Sequence, residues 1–212
     1  FFFIIVKNSI FMYCNGKKSK DIRKMKVGWN LKPMLLTDSA EVPVGDEWLY
    51  ETKYDGFRCI LTWEKGEHTP ILKSRNNNLL NEMFPEIVRF CEGFYNDVEP
   101  YLPLIFDGEL VYLTNDFQSN FSVVQKRGKM RNVENIEANA ELFPCHYIVF
   151  DLLEFEGKLN INGILNTRKQ LLAKLFKILD LPNRVDCKDA KRLQAIAVFK
   201  AVSYTHLRAH ET

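Results

Sequence analysis

The chain has 212 residues, of which 46% are hydrophobic and 26% are charged, and its formal net charge is +2. This composition excludes a disordered chain, and the nearly neutral charge gives no sign of a nucleic-acid-binding surface. The five cysteines lie far apart without a Cys-x-x-Cys pair, which excludes a zinc site readable from sequence and favours a reducing compartment.

The two ends of the chain differ from the sequence between them. Residues 1–6 form an apolar run that is far shorter than the roughly 20 residues needed to span a bilayer, and no basic stretch precedes it as in a secretory signal. We expect residues 1–24 to be a non-native or upstream segment, with Met25 as the favoured start and a lost true beginning as the alternative. Residues 201–212 resemble translated sequencing-adapter read-through, so we assign their two histidines no metal.

Residues 48–74 predict a three-stranded meander. Aromatic and β-branched residues dominate its strands, which are residues 48–53, 57–63 and 71–75. Asp55-Gly56 is a strong short hairpin signal between the first two strands, and residues 65–67 form the second turn.

A helix is predicted after the meander. Apolar residues recur at helical spacing at Leu80, Phe84, Ile87, Cys91 and Phe94. Asn81 is its predicted cap, and Pro85 falls within its first turn.

The remaining elements mix strands and helices. They are a buried strand at residues 102–113, a short helix at 117–129, an apolar strand at 146–155, an amphipathic helix at 167–179 and a last helix that begins near Asp189. The apolar face of the amphipathic helix consists of Leu171, Leu172, Leu175, Ile178 and Leu179. Because the strands and helices do not alternate strictly, we predict an α+β fold with mostly antiparallel sheets and flanking helices.

The most informative segment is Lys53-Tyr54-Asp55-Gly56-Phe57-Arg58. A lysine amine becomes a nucleophile when it loses its proton, which burial or nearby cations promote. Glycine lets a backbone approach a phosphate, and an arginine offers a planar fork for phosphate or sugar oxygens. The alternative is that Asp55-Gly56 only turns a hairpin between two solvated strand ends.

The Lys-x-Asp-Gly-x-Arg pattern resembles the nucleotidyl-transfer motif of ATP-dependent DNA ligases, RNA ligases and mRNA capping enzymes. Further elements resemble the family in order, namely Ser74-Arg75, Phe106-Asp107-Gly108-Glu109-Leu110 and Tyr147-Ile148-Val149-Phe150-Asp151-Leu152-Leu153. The spacing and the flanking segments 48–51 and 121–128 are most similar to the ligase module of bacterial ligase D, a family that acts in non-homologous end joining. The resemblance covers roughly residues 29–180, and four ordered motifs are harder to obtain by chance than one.

The resemblance implies that residues 25–200 are a partial adenylation domain with an ATP-grasp-like nucleotidyltransferase fold. The domain is expected to be incomplete at its C-terminus, because the later glutamate-glycine and lysine motifs and the oligonucleotide-binding barrel are not found after Leu181. Lys53 is implied as the catalytic nucleophile that forms lysyl-AMP. The implied ATP-binding residues are Glu51 beside the adenine or the lysine, Arg58 and Arg75 near the ribose and phosphates, Glu109 on the ribose and Phe150 on the base.

The resemblance also implies cofactors and partners. The cofactors are ATP and Mg²⁺ or Mn²⁺, with no metal ligand identified, and the substrate is nicked or broken double-stranded DNA. A Ku-like end-binding protein is an implied partner, and the expected location is cytoplasmic and nucleoid-associated, away from membranes. We expect the fragment to be unable to seal DNA and to form lysyl-AMP weakly or not at all.

Structural alternatives stand beside these roles. Glu109 could be a strand-end carboxylate, Phe150 a core aromatic and Arg75 a surface arginine. The basic stretch 126–131 is interpreted as a solvated helix end rather than a DNA contact. Asp151 is expected to cap a turn or to pair with a basic side chain. For the whole chain, an RNA ligase or mRNA capping nucleotidyltransferase and a non-catalytic nucleotide-binding α+β domain stay open as alternatives.

Overall fold

The computed structural model describes residues 53–115 and 118–179, together with the backbone of four strands nearer the ends of the chain. The strands are β1 (Phe3–Lys7), β2 (Thr37–Asp38), β3 (Trp48–Thr52), β4 (Phe57–Trp63), β5 (Ile71–Ser74), β6 (Leu104–Val111), β7 (Leu113–Asn115), β8 (Gln118–Ser119), β9 (His146–Phe155), β10 (Lys158–Leu159) and β11 (Leu207–His210). The helices are α1 (Pro85–Gly93), α2 (Tyr95–Val98), α3 (Phe121–Lys129), α4 (Val133–Leu142) and α5 (Leu165–Leu179), with 3₁₀ turns at Asn81–Met83 and Glu99–Tyr101. The predicted helix near Asp189 and most of the segments 1–24 and 201–212 lie outside the described residues.

The central element of the fold is a five-stranded sheet in the order β10-β9-β6-β4-β5, and all of its neighbouring pairs are antiparallel. A second sheet has the order β2-β11-β1-β3, in which only the pair β1 and β11 is parallel. With helices packed against the central sheet, the predicted α+β class with mostly antiparallel sheets is confirmed.

The two faces of the central sheet differ in character because side chains alternate along each strand. On one face, Cys59, Leu61 and Trp63 of β4 join a buried apolar core that includes Phe84 of the 3₁₀ turn's end and Phe176 of α5. The other face carries the charged residues Arg58, Asp107 and Glu109, which are described below. No described helix has the length and apolar character that crossing a membrane requires.

The predicted three-stranded meander is wrong in its first pair. The strand β3 pairs with β1, whereas β4 lies between β5 and β6. Gly56 shows the physical reason, because a Cβ atom there would lie 2.1 Å from the Leu110 carbonyl oxygen. The chain therefore packs against β6 immediately before β4 begins, and residues 53–56 connect two sheets instead of turning a hairpin.

Asn81 does not cap the predicted helix. Its side-chain Oδ1 accepts the Leu72 N–H at 2.9 Å, and its Nδ2 donates to the Pro70 carbonyl oxygen at 2.7 Å. The side chain thus ties the 3₁₀ turn to β5, and α1 begins only at Pro85, a residue suited to the first turn of a helix.

The other predicted elements are confirmed with small shifts of their ends, and the prediction at residues 146–155 coincides with β9. On α5, Leu172 and Leu175 are buried as predicted, but Ile178 is 49% exposed and Phe176 is buried in its place. Helix α4 was not predicted, although Asn132 caps it by accepting the Asn135 N–H at 2.9 Å.

Candidate active site

The charged face of the central sheet is assembled by strand register. Arg58 of β4 lies directly opposite Glu109 of β6, and Glu109 lies opposite Ile148 of β9. Gly108 pairs with Val149 and Asp107 with Asp151, which leaves Phe150 as the extra residue of a β-bulge. Residues directly opposite on neighbouring strands project to the same side, and a bulge redirects its side chain, so Phe150 is presented next to the charged pair.

Arg58 and Asp107 form a two-pronged ion pair. The Arg58 Nε donates to Oδ1 at 2.6 Å, and its Nη2 donates to Oδ2 at 2.7 Å. The Asp107 side chain is fully buried, so the pair is shielded from water and the guanidinium is fixed in orientation. The Arg58 Cζ atom lies 4.4 Å from the centre of the Phe150 ring, within cation–π range.

Glu109 is half-buried beside this pair, and its carboxyl group lies near the backbone N–H of Gly56. Burial raises the pKa of Glu109 to about 7, and the negative charge of Asp107 also raises it, while the Arg58 guanidinium and the Gly56 N–H lower it. The carboxyl group is therefore close to half-ionised at neutral pH, which is a property that clusters at functional sites. Glu109 therefore lies beside the segment that follows Lys53, opposite Arg58.

Helix α5 supports Phe150 from its own strand. The Lys169 ammonium donates to the Phe150 carbonyl oxygen and lies 5.9 Å from the ring centre. The neighbouring residue Asp151 pairs with Arg168, from Nε to Oδ1 at 2.8 Å and from Nη2 to Oδ2 at 2.9 Å. Of the two roles expected for Asp151, pairing with a basic side chain is thus confirmed. Phe150 itself is half-buried and lies outside the apolar core.

Three of the six predicted site residues come together, namely Arg58, Glu109 and Phe150. Lys53 is half-buried in the segment that leads into β4. Arg75 is exposed in the turn that follows β5, and no contact joins it to this group among the residues that the structure describes. Glu51 lies in β3 opposite Ile4, and its side chain is outside the described residues.

Sequence reasoning missed the role of Asp107. It stands in an apolar strand directly before Gly108 and Glu109, and a carboxylate at such a position is a signal that it has a cationic partner. The partner could not be identified because Arg58 lies 49 residues away.

The interpretation of residues 126–131 as a solvated helix end is wrong for Arg127. Its guanidinium is buried and donates to the carbonyl oxygens of Met83, Asn139 and Phe143 and to Glu86 Oε2. The Phe143 carbonyl lies at the end of α4, where carbonyl groups lack helical partners, so it is an acceptor available to the buried charge. The flanking Lys126, Lys129 and Arg131 are exposed as predicted.

In the part of the chain that the structure describes, no three His, Cys, Asp or Glu side chains come together as a metal-ion site. The two aspartates nearest Phe150, Asp107 and Asp151, are each bound by an arginine through both carboxylate oxygens. The described carboxylates therefore do not match the oxygen-rich, open coordination that Mg²⁺ requires.

Comparison with known proteins gives consistent results. The family profile described as ATP dependent DNA ligase domain matches residues 33–209. The chain is 35% identical over 82% of its length to the Bifunctional non-homologous end joining protein LigD of Bacillus subtilis (strain 168), and 28% identical over 71% to the LigD protein of Mycobacterium tuberculosis (strain ATCC 25618 / H37Rv). It spans 28% and 17% of the lengths of these two relatives. The crystal structure of the ligase domain from M. tuberculosis LigD aligns with 69% of this chain and 44% of its own, at 22% identity and a TM-score of 0.48.

Proposed function

Because the chain belongs to the ATP-dependent DNA ligase domain family, we propose that it is part of a DNA ligase that uses Lys53 to carry AMP and seals DNA breaks in end joining. The observation that carries the proposal is the Arg58–Asp107 ion pair, at 2.6 and 2.7 Å, which fixes Arg58 of the Lys53 motif beside Glu109 and the Phe150 ring. Through it, the segment that begins at Lys53 is held against a charged sheet face that also presents an aromatic ring.

The proposed reaction begins with attack of the Lys53 amine on the α-phosphorus of ATP. A phosphorus–nitrogen bond forms, pyrophosphate leaves, and the amine proton passes to solvent. An oxygen of the 5′-phosphate at the DNA break then attacks the same phosphorus, which breaks the phosphorus–nitrogen bond, returns the lysine amine and forms a phosphoanhydride with AMP. Attack by the 3′-hydroxyl on the DNA phosphate forms the phosphodiester and releases AMP, and the hydroxyl proton passes to solvent. The covalent intermediate divides one difficult condensation into easier transfers.

The charged face supplies groups for binding the nucleotide. Adenine stacks on the Phe150 ring, a contact worth about 1–3 kcal/mol. Glu109 bonds to the ribose hydroxyls, and Arg58 directs its guanidinium to the ribose and phosphates while Asp107 holds it in place. Arg75 is assigned to the ribose and phosphates and Glu51 to the adenine or the lysine, as the resemblance implies.

The resemblance implies Mg²⁺ or Mn²⁺ as a cofactor. However, Asp107 and Asp151 are each bound by an arginine, and no three described His, Cys, Asp or Glu side chains come together. The residues that the structure describes therefore do not fit a divalent ion.

The partners follow from the relatives. Both relatives are named for non-homologous end joining, and we extend this role to the present chain with broken or nicked double-stranded DNA as substrate. A Ku-like end-binding protein and a cytoplasmic, nucleoid-associated location belong to the same proposal. The match to DNA ligases does not favour the RNA ligase, capping enzyme or non-catalytic alternatives.

The nucleophile is tested with ATP labelled at the α-phosphate. We expect a weak covalent label on the chain that is abolished by Lys53→Ala and retained by Lys65→Ala, a matched change at an exposed turn lysine. Label that survives Lys53→Ala contradicts the proposal. Of the two outcomes expected from the sequence, weak label or none, the proposal requires weak label, so a folded wild-type chain that takes no label also contradicts it.

A further inference from the structure

The segment 53–58 is hydrogen-bonded to the short strand β8, which contains none of the motif residues. The Asp55 N–H donates to the Ser119 hydroxyl at 2.8 Å, although the two residues are 64 positions apart in the chain. Ser119 is half-buried in the short strand β8, immediately before the cap of α3. The backbone of the segment is therefore fixed directly next to Gly56.

Helix α3 contacts the same segment through Phe57. The Phe57 ring lies edge-on to Phe121, the first residue of the helix, with ring centres 5.9 Å apart. About two turns further along α3, the same ring lies against Gly128. A Cβ atom at Gly128 would be 2.1 Å from Cε2 and 2.9 Å from Cζ of Phe57. Glycine weakens the interior of a helix relative to alanine, so its presence at this position is explained by the close approach of the ring.

The inner side of the segment is held by β6. Gly56 lies against the Leu110 carbonyl, and Phe57 pairs with Leu110 across the two strands. Three consecutive residues, Asp55, Gly56 and Phe57, are thus held between β6 on one side and β8 with α3 on the other. The position of the backbone at Asp55, two residues after Lys53, is therefore constrained from both sides.

We propose that Ser119 and Gly128 are positioning residues for nucleotidyl transfer, which fix the segment 53–58 so that the Lys53 amine meets the nucleotide at the reacting distance. The inference rests on the proposed function. Neither residue touches the charged face, so their effect is on the rate of transfer rather than on nucleotide affinity. A misplacement of about 1 Å costs up to about 100-fold in rate even when its source is distant from the reacting atoms.

The test compares Ser119→Ala and Gly128→Ala with matched controls in the whole chain. Ser122→Ala changes an exposed serine of α3, and Gly93→Ala adds a Cβ at a helical glycine that has nothing within 4 Å. We expect each positioning variant to form lysyl-AMP about 10-fold more slowly, with the KM for ATP changed less than about 2-fold. The controls are expected to match the wild-type chain.

Conservative changes separate positioning from a general loss of folding. Ser119→Thr keeps the hydroxyl and is expected to retain most of the rate. Phe57→Leu in the Gly128→Ala background removes the ring that the new methyl group strikes, and is expected to recover the rate in part. The inference is overturned if Ser119→Thr is as slow as Ser119→Ala and Phe57→Leu does not raise the rate of Gly128→Ala.

Amide hydrogen exchange of residues 53–58, measured without ATP, keeps the inference separate from the proposed function. We expect faster exchange in Ser119→Ala and Gly128→Ala, with the central strand β6 unchanged. Unchanged exchange in both variants, or faster exchange with a wild-type transfer rate, overturns the inference. If the wild-type chain takes no label while exchange rises in both variants, the contacts that fix the segment are supported and the assignment to nucleotidyl transfer falls with the proposed function.

Discussion

Glu109 carries a carboxyl group whose ionisation opposes folding. Burial raises its pKa from the ordinary value of 4.5 to about 7, despite the nearby Arg58 guanidinium and the Gly56 N–H. Between these two values the folded chain holds a proton that the unfolded chain has released. Stability therefore decreases as pH rises from about 4.5 to about 7, and above that range the full cost of the buried charge is present.

Replacement by a neutral isostere removes this cost. We expect Glu109→Gln to raise the free energy of unfolding by about 1–3 kcal/mol at pH 8, because one pKa unit corresponds to about 1.4 kcal/mol. The advantage over the wild type is expected to disappear near pH 4.5, where both side chains are neutral. Urea denaturation at a series of pH values measures the difference, with Glu141→Gln as a control at an exposed carboxylate. A difference that is independent of pH contradicts the prediction.

At the scale of elements, one arginine joins two helices and the turn before α1. Arg127 of α3 reaches the last carbonyls of α4 through Nη1, at 3.2 Å to Asn139 and 3.1 Å to Phe143. Its Nη2 donates at 2.9 Å to both the Met83 carbonyl oxygen and Glu86 Oε2. A positive charge at the C-terminus of α4 also interacts favourably with the helix dipole. The packing of these elements therefore depends on a charged side chain rather than on apolar contact alone.

Arg127→Met tests this dependence. The change keeps much of the side-chain volume but removes one donor from each of three carbonyls and the positive charge beside the Glu86 carboxylate, so we expect a loss of about 3–5 kcal/mol in the free energy of unfolding. Arg131→Met, at the exposed end of the same basic stretch, is expected to change it by less than about 0.5 kcal/mol. Equal effects of the two substitutions in urea denaturation would show that Arg127 has no special role.

At the scale of the whole molecule, the central sheet keeps its apolar core on one face and its charged residues on the other. Helix α5 contributes to both. Leu172 and Phe176 belong to the apolar core, whereas Arg168 and Lys169, one turn earlier, bind Asp151 and the Phe150 carbonyl. The helix therefore fixes the aromatic ring of the candidate site to the core of the fold.

Signals carried by neighbouring residues predicted much of this arrangement, whereas contacts between residues distant in sequence could not be predicted. Continuous apolar runs identify β4 and β9, and the motif containing Lys53 identifies the site, because both signals consist of residues that are adjacent in sequence. The pairing of β3 depends on residues about 45 positions away, so it was not predictable from the Asp55-Gly56 turn signal. Helix α4 was missed because only Ile136 and Ala140 are buried on it, which leaves almost no apolar period.

The ion pair between Asp151 and Arg168 allows the attachment of α5 to the sheet to be measured. Both side chains are almost fully buried, so Arg168→Met alone removes the guanidinium that balances a buried carboxylate and is expected to cost about 3–5 kcal/mol in the free energy of unfolding. The double substitution Asp151→Asn with Arg168→Met removes both charges, and we expect it to be at least about 1 kcal/mol more stable than Arg168→Met. Urea denaturation of the two single variants, the double variant and the wild type completes the cycle. If the double variant is as unstable as the sum of the two single changes, the two side chains are not coupled, and this ion pair does not contribute to the attachment of α5.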